Sequence, residues 1–145
     1  MYRFNLQFLL DYRKRIEEGI QIELSHVQRE LEKERQLLIS FKEEKNYYEE
    51  ELVRREEKRI DVDEGILYRD YLKGMWIKIK KQREIVSKIL PELDKKRDEL
   101  LAATKKRKVL EKVREKDWKR FVKVLAKNDG MFMDCLLYTS PSPRD

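Results

Sequence analysis

The chain has 145 residues, of which 44% are charged, and a formal net charge of +6, whereas globular domains are near one quarter charged. So much charge leaves no apolar residues for a thick core and suits a narrow seam between helices, in one domain. The single cysteine, Cys135, excludes an intramolecular disulfide framework and points to a reducing compartment.

In chain order, the apolar start (Phe4, Leu6, Phe8, Leu9, Leu10) is broken by Asn5, Gln7 and Asp11 and has no small-residue cleavage site, so it does not read as a secretory signal. No later run approaches the ~18–20 apolar residues that cross a bilayer. Leu9, Tyr12 and Ile16 begin a helical spacing that continues through Ile20, Leu24, Val27, Leu31, Leu38, Phe41, Tyr48 and Leu52. The steps alternate between three and four residues, with a stutter between Tyr12 and Leu24 and with Glu34 and Lys45 on the vacant beats. This pattern predicts one helix over about 6–59.

The segment 61-DVDEG-65 is read as the turn, spanning about 60–65. Asp61 followed three residues later by Glu64 has the form of a capping box opening a second helix. That helix, about 66–127, carries Tyr68, Leu72, Met75, Ile79, Gln82, Val86, Ile89, Leu93, Lys96, Leu100, Ala103, Arg107 and Leu110 at seam spacing. Folding the chain at Gly65 sets Leu52 opposite Met75, Tyr48 opposite Ile79, Phe41 opposite Val86, Leu38 opposite Ile89 and Val27 opposite Leu100, with a polar layer of Lys45 and Gln82. The fold expected is therefore all-α, a long two-helix antiparallel coiled-coil hairpin over residues 2–127. Pro91 removes a backbone hydrogen bond and predicts a kink near Ser87–Leu90. Asn128-Asp129-Gly130 reads as a helix stop, and 136-LLYTSPSPRD-145 has lost the heptad pattern and resembles the read-through of a sequencing adapter. Residues 128–145 are expected to be an irregular tail, largely foreign to the native protein.

An enzyme is not expected. Catalysis needs a positioned nucleophile, base, metal or phosphate-cradling loop, and the four glycines are isolated from one another. The only histidine, His26, reads as a surface residue, and no Cys/His spacing suits a metal or other cofactor. Acid runs such as Glu49-Glu50-Glu51 read as solvated helix faces.

Charge is unevenly distributed. Between Lys105 and Lys123 there are ten Lys/Arg and three acids, whereas Glu43–Glu64 holds ten acids and five bases. Nucleic acid is the weaker reading of the basic stretch. A basic zipper places its basic region before the heptads, and here Glu111, Glu115 and Asp117 interleave at spacing that favours intrahelical pairs. A structural or interaction protein fits better. Aromatic residues off the seam cluster near the turn (Tyr47, Tyr71, Trp76) and near the chain start with the second helix (Phe4, Phe8, Trp118), which suggests two docking surfaces.

Three segments sharpen this reading. The opening 2-YRFNLQFLLDYRKRIEE-18, then 68-YRDYLKGMWIKIKKQ-82 and 105-KKRKVLEKVREK-116, resemble the flagellar FliJ family in order and spacing, over residues 2 to about 124. The resemblance implies a cytoplasmic, non-enzymatic component of the flagellar type III export apparatus, peripheral to the cytoplasmic face of the cell membrane at the flagellar base. Its implied partners are the hexameric export ATPase, into whose ring the stalk inserts, the cytoplasmic domain of the membrane export gate, and export chaperones. By the same resemblance, Phe4, Leu6, Leu9, Arg13, Leu110, Val113 and Trp118 are ATPase-binding candidates. The gate-contact strip maps onto Leu38, Phe41, Lys45, Tyr71, Met75 and Gln82, with Lys45 standing where an aromatic is expected. A homologous injectisome stalk and a generic coiled-coil scaffold are the rival readings.

Overall fold

The computed structural model describes residues 1–139, with side chains through Met131 and at Met133. Two helices account for nearly all of it: α1, Gln7–Glu57, and α2, Val62–Thr139, and no strand occurs among the described residues. They pack against each other as an all-α helical hairpin. Their contacts fall into two units, one made of Met1–Gly19 with the chain from Leu100 onward, the other of Ile20–Glu99. The expected tail at 140–145 lies outside the described residues.

The connection is shorter and earlier than the composition suggests. α1 ends with tightened bonds, Lys58 N–H to Arg55 C=O at 3.1 Å and Arg59 N–H to Glu56 C=O at 3.2 Å. Arg59 takes the left-handed conformation at φ 59°, the helix-ending geometry that glycine adopts more readily. Asp61 then opens α2, its carbonyl accepting the Gly65 N–H at 3.0 Å. The expected turn at 60–65 is thus corrected: Gly65 lies inside the first turn of α2, and only residues 58–61 connect the helices. Glu64 also departs from the capping-box reading, because its carboxylate is taken by the Arg55 guanidinium of α1. Since a Cβ on Gly65 would meet only Ile60 Cδ1, at an ordinary 3.5 Å, Gly65→Ala should raise stability by about 0.5–1 kcal/mol. Urea denaturation checks this, and a loss of stability would restore Gly65 to a turn.

The same correction moves the register of the Ile20–Glu99 unit. Val27, Leu31, Ile89 and Leu93 form one buried cluster, covered by Leu24 and Val86. Tyr48 meets Tyr71, ring centroids 4.8 Å apart, instead of Ile79, and Gln82 donates to the Glu34 backbone carbonyl at 2.9 Å instead of facing Lys45. These partners are displaced by about two to three helical turns. A heptad seam looks the same after a slide of one repeat, so apolar spacing cannot select among such registers. The turn selects: placing it about four residues earlier displaces each partner by about twice that number.

Gln82 is 4% exposed, and its amide also bonds the Glu34 carboxylate. A buried polar contact of this kind fixes alignment at some expense in stability. Gln82→Leu should therefore leave the thermal midpoint unchanged or higher while broadening the register distribution. Spin-label distances between α1 and α2 would show it, and a single sharp distance would reject Gln82 as the alignment device.

Neither Pro91 nor Gly130 interrupts α2. Pro91 lies inside the helix and cannot bond the Ser87 carbonyl, yet α2 continues through it. Gly130 does not end the helix either. It has no positive φ, and α2 runs on to Thr139, which corrects the expected irregular segment from residue 128 as far as 139. An isolated glycine costs only about 1 kcal/mol in a helix unless the chain turns left-handed there.

Candidate functional site

Within the unit of Met1–Gly19 and the chain from Leu100, the lead-in before α1 folds back onto α2. Tyr2 packs edge-on to Trp118 at 5.0 Å and against Phe121 at 5.1 Å, and Trp118 stacks on Phe121 at 5.7 Å. Such aromatic pairs add about 0.5–1.5 kcal/mol beyond their buried area. The Tyr2 hydroxyl donates to Asp117 Oδ2 at 2.9 Å, and partial desolvation together with that bond raises it above the ordinary tyrosine value. Below this cluster, Arg107 bridges buried Glu17 at 2.5 Å and Glu111 at 2.8 Å. Leu10 is fully enclosed.

The ATPase candidates therefore divide. Trp118 is 48% exposed, and Leu6 and Val113 are also exposed. Leu9, Arg13 and Leu110 are half-buried. Phe4, 8% exposed, is interior and can support a surface but not present one. The sequence reading singled out Trp118 but missed Tyr2, Asp117 and Phe121 as its neighbours. The Trp118/Phe121 spacing of three on a helix was the available signal; the approach of Tyr2 depends on how the lead-in folds.

Within the Ile20–Glu99 unit a second aromatic surface lies on the first turns of α2 and the facing part of α1. Tyr48, Leu67, Tyr68 and Tyr71 line a shallow apolar groove. Tyr48 also meets Tyr47 at 5.2 Å. The Tyr71 hydroxyl donates to the Glu44 carboxylate, and that bond, helped by partial desolvation, pushes its pKa up to about 12. Lys45, where an aromatic was expected, lies 3.9 Å above the Trp76 ring, a cation–π contact that restores an aromatic surface at that position. Lys78 sits 5.7 Å over Phe41, and Arg55 sits 5.3 Å over Tyr68.

The gate candidates divide as well. Tyr71 is 42% exposed, and Leu38, Phe41 and Lys45 are half-buried. Met75, 2% exposed, and Gln82 are enclosed by the pairing, so in this hairpin they lie behind the strip and not on its surface. Tyr48, Tyr68 and Leu67 were not singled out, although the Tyr47-Tyr48 pair and the Tyr68-x-x-Tyr71 spacing were legible.

His26 is exposed, and among the described residues no group of three His, Cys, Asp or Glu side chains could hold a metal. No helix among them is long and apolar enough to cross a membrane. What the two surfaces offer is aromatic area edged by charge, the composition of protein-docking sites. The model of one family, described as flagellar FliJ protein, matches residues 2–136. No curated protein and no solved structure matches the chain.

Proposed function

We infer, from the premise that the chain belongs to the flagellar FliJ protein family, that it acts as a stalk joining two machines of flagellar export. The family is one of non-catalytic flagellar export components. In this reading the surface around Trp118, with Leu6, Leu9, Arg13, Leu110 and Val113, enters the ring of the hexameric export ATPase. The surface of Tyr71, with Leu38, Phe41 and Lys45, contacts the cytoplasmic domain of the export gate, and export chaperones are further partners. Phe4, Met75 and Gln82 hold these surfaces in shape. The protein works on the cytoplasmic side of the membrane without spanning it.

The observation that carries this proposal is the cluster of Tyr2, Trp118 and Phe121. It joins the start of the chain to α2 in one aromatic patch, with Glu111, Arg114 and Glu115 beside Tyr2 and Trp118. Half-exposed Trp with adjacent Tyr is the residue class that dominates binding energy at protein interfaces.

The test is capture by the purified export ATPase, with hydrolysis rate read on the same samples. Leu110→Ala combined with Trp118→Ala should weaken capture by roughly 30-fold or more, since one interface anchor such as Trp118 is worth about 2 kcal/mol. Circular dichroism should show the helices intact. Undiminished capture would remove this surface from the ATPase contact.

A further inference from the structure

Each helix of the Ile20–Glu99 unit carries a second stripe on its back. On α1 it consists of Glu43, Asn46, Glu50, Val53 and Glu57, and on α2 of Lys73, Ile77, Lys80, Glu84 and Lys88. Steps of three and four keep each set on one side of its helix, and all of these residues are exposed. Lys73, Ile77 and Lys80 stand two residues, about 200° round the helix, from buried Met75, Ile79 and Gln82. Glu43 and Glu50 stand in the same relation to half-buried Phe41 and Tyr48. Both stripes therefore face away from the seam.

Charge separates them. From Lys73 to Lys88 α2 has six Lys/Arg and one acid, Glu84. Neither Lys73, Lys80 and Lys88 nor Glu43, Glu50 and Glu57 form an ion pair among the described residues. The ion pairs nearby use other side chains, such as Lys45 with Glu49, Arg55 with Glu64 and Arg69 with Glu56. Each stripe also holds one apolar residue, Val53 at 55% exposure and Ile77 at 56%.

We propose that these stripes join copies of this chain, the acidic stripe of one lying antiparallel against the basic stripe of the next. One alignment satisfies every position: Glu57 faces Lys73, Val53 faces Ile77, Glu50 faces Lys80, Asn46 faces Glu84, and Glu43 falls beside Lys88. The single acid of the basic stripe thus meets the single amide of the acidic one. Sliding by one seven-residue repeat sets Val53 against Asp70 or Glu84, and a parallel arrangement with the charges matched also sets it beside Glu84. At 1.5 Å rise per residue the stripes are about 21 and 22 Å long, so their charges stay in step. A polyanion would use the basic stripe alone, whereas a second copy uses both. Because each copy offers one stripe of either kind, the contact is head-to-tail, and association proceeds past the dimer as concentration rises. Exposed ion pairs around one apolar pair make it weak and salt-sensitive. The inference stands on the two stripes and requires neither the ATPase nor the gate reading.

Sedimentation velocity of the full chain at low salt tests it. The average mass should rise with concentration above that of the monomer, and high salt should weaken the association by about tenfold or more. Lys73→Glu, Lys80→Glu and Lys88→Glu together should weaken it on the order of 100-fold, because like charges then face each other. Glu43→Lys, Glu50→Lys and Glu57→Lys together should do the same, and an equimolar mixture of the two reversed chains should associate again. Lys105→Glu, Lys112→Glu and Lys116→Glu make the same change of net charge elsewhere and should leave most of the association in place. Disulfide trapping in chains carrying Cys135→Ser reads the alignment, since a disulfide needs Cα atoms within about 7 Å. Tagged Val53→Cys should cross-link to untagged Ile77→Cys and not to untagged Glu84→Cys. A chain that stays monomeric, a charge-swapped mixture that stays apart, or equal trapping at Ile77 and Glu84 would overturn the proposal. So would a reversal of Lys73, Lys80 and Lys88 that abolishes capture by the purified gate domain and leaves self-association unchanged, which would assign the stripe to the gate.

Discussion

Replacing Ile79 by Ala is expected to destabilise the Ile20–Glu99 unit by about 2–5 kcal/mol. Ile79 is 1% exposed, so truncation removes contacts on all sides and leaves a cavity. A helical pair has few ways to repair it, because the two backbones are held apart by the neighbouring seam side chains. With whole-domain stabilities of only about 5–15 kcal/mol, the thermal midpoint should fall by well over ten degrees. The exposed neighbour Ile77 provides the comparison: on the solvent side of α2, Ile77→Ala should cost less than about 0.5 kcal/mol. Thermal unfolding followed at the helix signal measures both. Equal effects at the two positions would mean that the seam does not run through Ile79.

The second large effect is expected in the other unit, from Leu10→Ala. Leu10 is fully enclosed in the first turn of α1, close to where the Leu6 carbonyl accepts the Leu10 N–H at 3.0 Å. The substitution should again cost about 2–5 kcal/mol, but locally. Contacts in this unit are formed by a short piece of α1, Gln7 to Gly19, against α2, so their loss can fray the start of α1 without melting the rest. Hydrogen exchange should show protection of the amides of residues 10–19 falling on the order of 100-fold, while amides around Val86 and Ile89 keep theirs. A uniform loss across both units would show that they open together. If the proposed ATPase contact is formed by this unit, the same substitution should also weaken ATPase capture, because Tyr2 and Trp118 would no longer be held together.

These two positions show different degrees of legibility. Ile79 was on the predicted seam, since apolar residues at steps of three and four have one way to avoid water on a helix. Its partner was misassigned, because the seam repeats and the repeat cannot tell one slide from the next. Leu10 was recognised only as part of an apolar start. Its complete burial is a property of the packed unit, which no periodicity at the chain start encodes.

The candidate surfaces follow the same division. Trp118 and Tyr71 were visible as aromatics off the seam, and both are exposed. Met75 and Gln82 were placed on a contact strip by resemblance, but the pairing encloses them. Lys45 looked like a departure from an aromatic pattern until Trp76 was found beneath it.

Residue order alone settled that the chain is two helices with an apolar seam, and that a family of flagellar export components uses such segments. Those properties are local: they need only side-chain period, the scarcity of helix breakers, and charge. The register, the true connection at residues 58–61 and the division of aromatics into buried and presented ones belonged to the packed structure. Each depends on which of several equivalent alignments the short connection permits, a choice made between residues far apart in the chain.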